Sequence, residues 1–122
     1  MRRAWRSMTT CSRGDVILVV FPHSDLRTYK KRPALVVQSD TVQTGVPQRI
    51  VAMITSNVAR SGPARVSIRK ESRSGRAMGL LQDSIVVTDN LATVLERQVD
   101  KVIGRCTDMN PVDDALRQIL AL

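Results

Sequence analysis

The sequence predicts an α+β domain, a small and strongly bent sheet or partial barrel closed by one C-terminal helix. Three observations carry this prediction. Short segments rich in Val and Leu recur from Asp15 to Cys106, a helical apolar period follows Asn110, and 122 residues suit one core without a second domain.

Residues 15–21 (DVILVVF) and 33–38 (PALVVQ) are apolar almost throughout, as expected of strands buried on both faces. Residues 49–55 (RIVAMIT) read the same way. Residues 64–69 alternate Val66 and Ile68 inward with polar neighbours outward, a half-exposed strand. Residues 84–88 and 91–94 make two more strands, separated by the turn pair Asp89-Asn90. Residues 101–106 supply a last strand. Asn110 then caps a helix that begins at Pro111 and carries Asp113 and Asp114 in its positive first turn. Val112, Ala115, Leu116, Ile119 and Leu120 give that helix one apolar face for the sheet. Residues 13–122 form the single domain, and residues 1–12 are a basic extension expected to be flexible, in which Met8 offers a second start.

Cys11 and Cys106 stand alone, with neither C-x-x-C nor Cys/His spacing, so a reducing, cytoplasmic setting without metal is the simpler expectation. Arg2, Arg3 and Arg6 precede no apolar run of signal-peptide length, and the run from Val16 to Phe21 is far short of a membrane span. A net charge of +8, from 19 Lys and Arg against 11 Asp and Glu, favours a polyanionic partner. The charge is uneven: residues 1–82 carry +11 and residues 83–122 carry −3. Arg60, Arg65, Arg69, Lys70, Arg73 and Arg76 crowd a segment with Gly62, Pro63 and Gly75, which reads as a hairpin and a mobile loop. A solvated basic surface is the alternative to nucleic acid, and membrane binding ranks lower because no amphipathic basic helix accompanies the charge.

Most enzyme templates fail on these residues. The chain has no glycine-rich phosphate loop, no G-x-S-x-G and no H-E-x-x-H, and its single histidine excludes a site needing two. RNA transesterification stays open, because the substrate brings its own 2′-hydroxyl nucleophile and the protein supplies a base, an acid and charge stabilisation. DNA lacks that hydroxyl.

Arg13-Gly14-Asp15-Val16-Ile17-Leu18-Val19, then Phe21-Pro22-His23-Ser24-Asp25, Lys31-Arg32-Pro33-Ala34-Leu35 and Ile54-Thr55-Ser56-Asn57 follow one another in order. Together with Gly79-Leu80-Leu81-Gln82-Asp83-Ser84 and Ile103-Gly104-Arg105, these blocks resemble the MazF/PemK toxins across residues 13–122. The resemblance implies an SH3-like barrel with a C-terminal helix, acting as a homodimer. It also implies metal-independent cleavage of single-stranded RNA, mRNA included, to a 2′,3′-cyclic phosphate and a 5′-hydroxyl. A cognate antitoxin with an acidic, disordered tail is the implied partner, and no cofactor is implied.

Carried over by block, Arg32 and Thr55 are the leading catalytic candidates, with Asp83 beside them as a base. A guanidinium stays charged and forks onto two phosphate oxygens, which suits Arg32; pairing with a carboxylate such as Asp25 is its structural alternative. A strand-end threonine is often only a good strand former. Asp83 reads equally as a surface turn residue, since Gln82 replaces the arginine found in the Kid branch of the family. His23 is an acid or base candidate by its ordinary pKa, although the family has an apolar residue there. RNA contacts are expected from Ser56, Asn57, Lys30, Lys31, Arg65, Arg69, Arg73 and Arg76, in a loop over residues 26–31 and the segment 60–76. Trp5, Phe21 and Tyr29 are the only aromatic residues, so hydrogen bonds and phosphate contacts outweigh stacking. Two other readings share the fold: a CcdB-like gyrase poison and a non-cleaving nucleic-acid-binding module.

Overall fold

The computed structural model describes residues 11–22, 29–59 and 61–122. Its strands are β1 (Asp15–Pro22), β2 (Tyr29–Val36), β3 (Gln48–Thr55), β4 (Arg65–Ile68), β5 (Ser84–Leu95) and β6 (Val99–Arg105), with helices α1 (Arg73–Ala77) and α2 (Asn110–Leu120). The strands join in one sheet in the order β4-β5-β3-β2-β1-β6, and every pairing is antiparallel.

The apolar runs are buried on both faces, as their composition requires. On β1, neighbouring Val16 and Ile17 point to opposite faces and are both fully buried. Val16 joins Leu35, Ile54, Val86 and Met78 in the core capped by Val112 of α2. Ile17 joins Val19, Ala34, Val36, Val51 and Val94 on the other side, and Cys11, at the end of the N-terminal extension, packs there with them. Bulges between Val16 and Ile17 and between Leu18 and Val19 let β1 bend against β6.

Five sequence expectations change. Asp89-Asn90 is not a turn between two strands. β5 runs unbroken, but its register on β3 jumps from Met53↔Val87 to Ala52↔Leu91, so Thr88, Asp89 and Asn90 bulge out of that ladder. Buried Thr88 pins the bulge, because its N–H (2.9 Å) and its hydroxyl (2.7 Å) both donate to the Ala64 carbonyl. A local turn signal gave way here to a long strand paired on both sides.

The strand expected over residues 64–69 is present as β4, but residues 73–77 form the helical turn α1 in place of a mobile loop. Ser72 caps α1 by accepting the Gly75 N–H at 3.0 Å. The chain then presses onto β6. A Cβ on Gly104 would lie 2.3 Å from the Met78 carbonyl carbon, and one on Gly79 would lie 2.2 Å from the Ile103 oxygen.

α2 starts one residue early, with Asn110 helical and its N–H bound by the Asp108 carboxylate at 3.1 Å. Only the first half of its apolar face packs: Val112 and Ala115 are buried, whereas Ile119 is 43% and Leu120 49% exposed. The last turn overhangs the sheet. Finally, β2 begins at Tyr29, so Lys30 and Lys31 lie on a strand and not in a loop.

Candidate active site

The site forms where two strands part. The β2–β3 ladder ends at Ala34↔Met53, and the same register continued would set Arg32 opposite Thr55. Proline explains the ending. The Val37 N–H crosses to the Ile50 carbonyl of β3, so by the two-residue period Leu35 and position 33 aim the same way. Pro33 has no N–H to give. Beyond it β2 is held by β1, with Val19 beside Arg32, and the end of β3 is held by β5, with Ile85 beside Thr55. Two rigid strands therefore splay around an opening.

Two clefts of about 530 Å³ each meet at this opening, and both are lined by Arg32, Ile54 and Thr55. The first has an apolar floor of Leu18, Pro33, Leu80 and Ile103, edged by Lys30, Lys31, Lys101, Ser56 and Gln82. The second is polar, walled by Asn57, Arg65, Asp89 and Asn90. Arg32, Ile54 and Thr55 form the ridge the two clefts share, and Met53 lies on the polar side alone.

Arg32 is exposed and forms no ion pair among the described residues. The Thr55 hydroxyl accepts the Asn57 N–H at 3.1 Å, which leaves its own hydrogen to donate into the cleft. The Asn57 side-chain oxygen accepts the Ala59 N–H at 3.3 Å, which leaves its amide NH2 to donate. Arg65 reaches Asp89 at 3.4 Å, and its Nε is buried without a partner. Such an under-satisfied guanidinium gains by turning to a better acceptor. Lys31 is paired with Asp100 at 3.2 Å across β1.

The structure thus brings Arg32, Thr55, Ser56, Asn57, Lys30, Lys31 and Arg65 to one opening. Asp83 lines neither cleft; its carboxylate accepts the Lys70 N–H at 2.9 Å. Arg69, Arg73 and Arg76 are exposed but also line neither. His23 and Asp25 lie outside the described residues. Lys101, Asp89 and Asn90 line the clefts without having been singled out for it. The bulge presents the last two, and a strand bulge leaves no signal in sequence distinct from a turn. Asp89 is the one carboxylate in either cleft among the described residues. No group of three or more His, Cys, Asp or Glu side chains able to hold a metal gathers among the described residues, and no helix there is long and apolar enough to cross a membrane.

A model for the PemK-like, MazF-like toxins of type II toxin-antitoxin systems matches residues 12–120. The endoribonuclease EndoA of Bacillus subtilis (strain 168) is 31% identical over 94 residues, covering 75% of this chain and 77% of that protein. Among solved structures, an endoribonuclease from Mycobacterial species in complex with its cognate antitoxin superposes with a TM-score of 0.69 at 21% identity, covering 93% of this chain and 97% of that one. The Mycobacterium tuberculosis toxin MazF-mt6 gives 0.69 at 23% identity over 88% of this chain and 97% of its own. A MazE-MazF structure from Deinococcus radiodurans gives 0.66 at 14% identity over 92% and 96%. At these identities the superpositions speak for the fold.

Proposed function

This chain belongs to the PemK-like, MazF-like toxin family of type II toxin-antitoxin systems, and we propose that it is an endoribonuclease that cuts single-stranded RNA at the Arg32–Thr55 opening. The observation that carries the reading is the splayed pair of strands, which offers an unpaired guanidinium and a free hydroxyl hydrogen at the junction of two clefts.

The reaction is transesterification. The 2′-hydroxyl passes its proton to water as its oxygen bonds to phosphorus, the bond from phosphorus to the 5′-oxygen breaks, and that oxygen takes a proton from water. A 2′,3′-cyclic phosphate and a 5′-hydroxyl remain. Arg32 forks onto the non-bridging oxygens as charge accumulates there, and the Thr55 hydroxyl donates to the same phosphate. Neither step calls for a metal. Asp89 presents acceptors, and Asn57 and Asn90 both donors and acceptors, for base edges in the polar cleft, and Arg65 backs them. Asp83 acts at one remove, by holding the Lys70 backbone against the Gln82 wall.

Bases on the other side of the scissile phosphate rest on the apolar floor, with Lys30, Lys31 and Lys101 matching the backbone. The working unit is a cytoplasmic homodimer. A cognate antitoxin inhibits it by laying an acidic segment along the same lysine-edged cleft, where charge complementarity favours it.

The test is incubation of the purified protein with a mixed-sequence single-stranded RNA in EDTA, beside Arg32→Ala and a DNA of the same sequence. Cleavage of RNA alone, with cyclic phosphate ends and loss in the variant, is expected. RNA that is bound but left whole across varied sequences overturns the reading in favour of a binding module.

A further inference from the structure

Arg69, Lys70, Arg73 and Arg76 are all exposed, and among the described residues none of them forms an ion pair. Glu71 is the one acid within this stretch. Elsewhere Arg13, Lys31, Arg49, Arg65, Arg105 and Arg117 each hold a carboxylate, and of the other unpaired cations among the described residues Lys30, Arg32 and Lys101 line the clefts themselves, which leaves Arg97 alone besides this group. Like charges left together on one short segment repel, and an approaching polyanion relieves that repulsion.

The patch is built onto the wall of the apolar-floored cleft. Lys70 N–H donates to Asp83 at 2.9 Å, next to Gln82 in the wall. Gly79 and Leu80, two further wall residues, donate to the Arg76 and Gly75 carbonyls at 3.1 and 3.2 Å. The capped turn α1 and its contact with Gly104 hold the segment in place. A strand leaving the cleft over the exposed Leu81 therefore meets these cations next.

We infer that Arg69, Lys70, Arg73 and Arg76 form a track for the phosphate backbone of RNA continuing beyond the cleft, so that long strands are captured better than short ones. The inference rests on the ribonuclease reading above. The grip is by charge alone: exposed side chains on one short turn offer no fixed groove for base edges, so the track adds affinity without sequence preference.

The experiment compares two RNAs sharing one cleavage sequence, a short oligonucleotide that fills the clefts and a long one with an unstructured flank. Cleavage (kcat/KM) and binding by fluorescence anisotropy are followed across a salt series. The variants are Arg69→Gln, Lys70→Gln, Arg73→Gln and Arg76→Gln combined, and a charge-preserving form with the three arginines changed to Lys. At about −0.7 per neutralised phosphate, the long RNA should show a log–log salt slope steeper by up to about 3. The glutamine variant should lose that excess while its rate on the short RNA stays within about twofold, and the lysine form should keep it.

Equal affinity of the unaltered protein for both lengths overturns the track. So does an equal loss on both RNAs in the glutamine variant with an unchanged melting temperature, since the cations would then act within the cleft. Loss of affinity for an acidic peptide with the RNA length preference intact also overturns it and assigns the surface to a protein partner. If both RNAs bind with the length-dependent slope but neither is cut, the track stands and the ribonuclease reading falls.

Discussion

Arg32 and Thr55 are separated by twenty-three positions in sequence and meet because each sits on a strand anchored on its far side. Arg32 is exposed and unpaired among the described residues, so its removal should leave the fold alone. Arg32→Ala is expected to lower kcat by ~10²–10³, the typical effect of deleting one charge-stabilising donor. Urea denaturation should show a stability change within ~0.5 kcal/mol. Arg32→Lys should recover only part of the rate, because the charge returns without the two-pronged geometry. These two residues were legible in sequence through the R-P and I-T-S blocks. Asp89, Asn90 and Lys101 were not, because their presence in the clefts depends on the β5 bulge and on the placing of β6 two strands from β2. Such long-range pairings leave no local trace.

Among the elements, Thr88 fixes the β5 bulge and Gly104 lets the chain after α1 pack against β6. Thr88 is fully buried, and its hydroxyl donates to the Ala64 carbonyl, which also receives the Thr88 N–H. Thr88→Val keeps the shape and one of the two bonds, so a loss of about 1 kcal/mol is expected in urea denaturation. Gly104→Ala places a methyl group against backbone that cannot swing aside. A loss of about 1–3 kcal/mol is expected, with a matching fall in melting temperature. The apolar runs made most strands readable, since composition reports burial on both faces. Element ends were less so. β2 extends back through Tyr29, because a lysine-rich stretch reads as loop until pairing with β1 is known. α1 hides in a Gly- and Ser-rich segment for the same reason.

For the whole molecule, α+β architecture followed from composition and one helical period, whereas the splaying and the two clefts depend on how the strands of the sheet pair. Both thiols lie in the cores on either side of that sheet. Burial pushes the Cys11 thiol up from its ordinary value, with Arg49 opposing, and burial does the same to Cys106. The folded protein therefore keeps these protons at pH values where the unfolded chain has begun to lose them, and that contribution to stability is complete below the ordinary thiol range of about 8.5. It declines as the pH rises through the raised folded values. Melting temperatures should consequently fall more steeply above that range in the unaltered protein than in a Cys11→Ala, Cys106→Ala double variant. Equal slopes would remove the thiols from the account.

Pro33 gives the opening a permanence that no mobile loop could. Like a blocked tooth in a zipper, it stops the two strands from pairing across Arg32 and Thr55 for as long as the sheet stands. Pro33→Val would restore an amide where the β3 carbonyl edge waits, so the seam should run on past Ala34, raising the melting temperature while slowing RNA cleavage. The chain forgoes that extra pairing for an aperture that is ready before any substrate arrives.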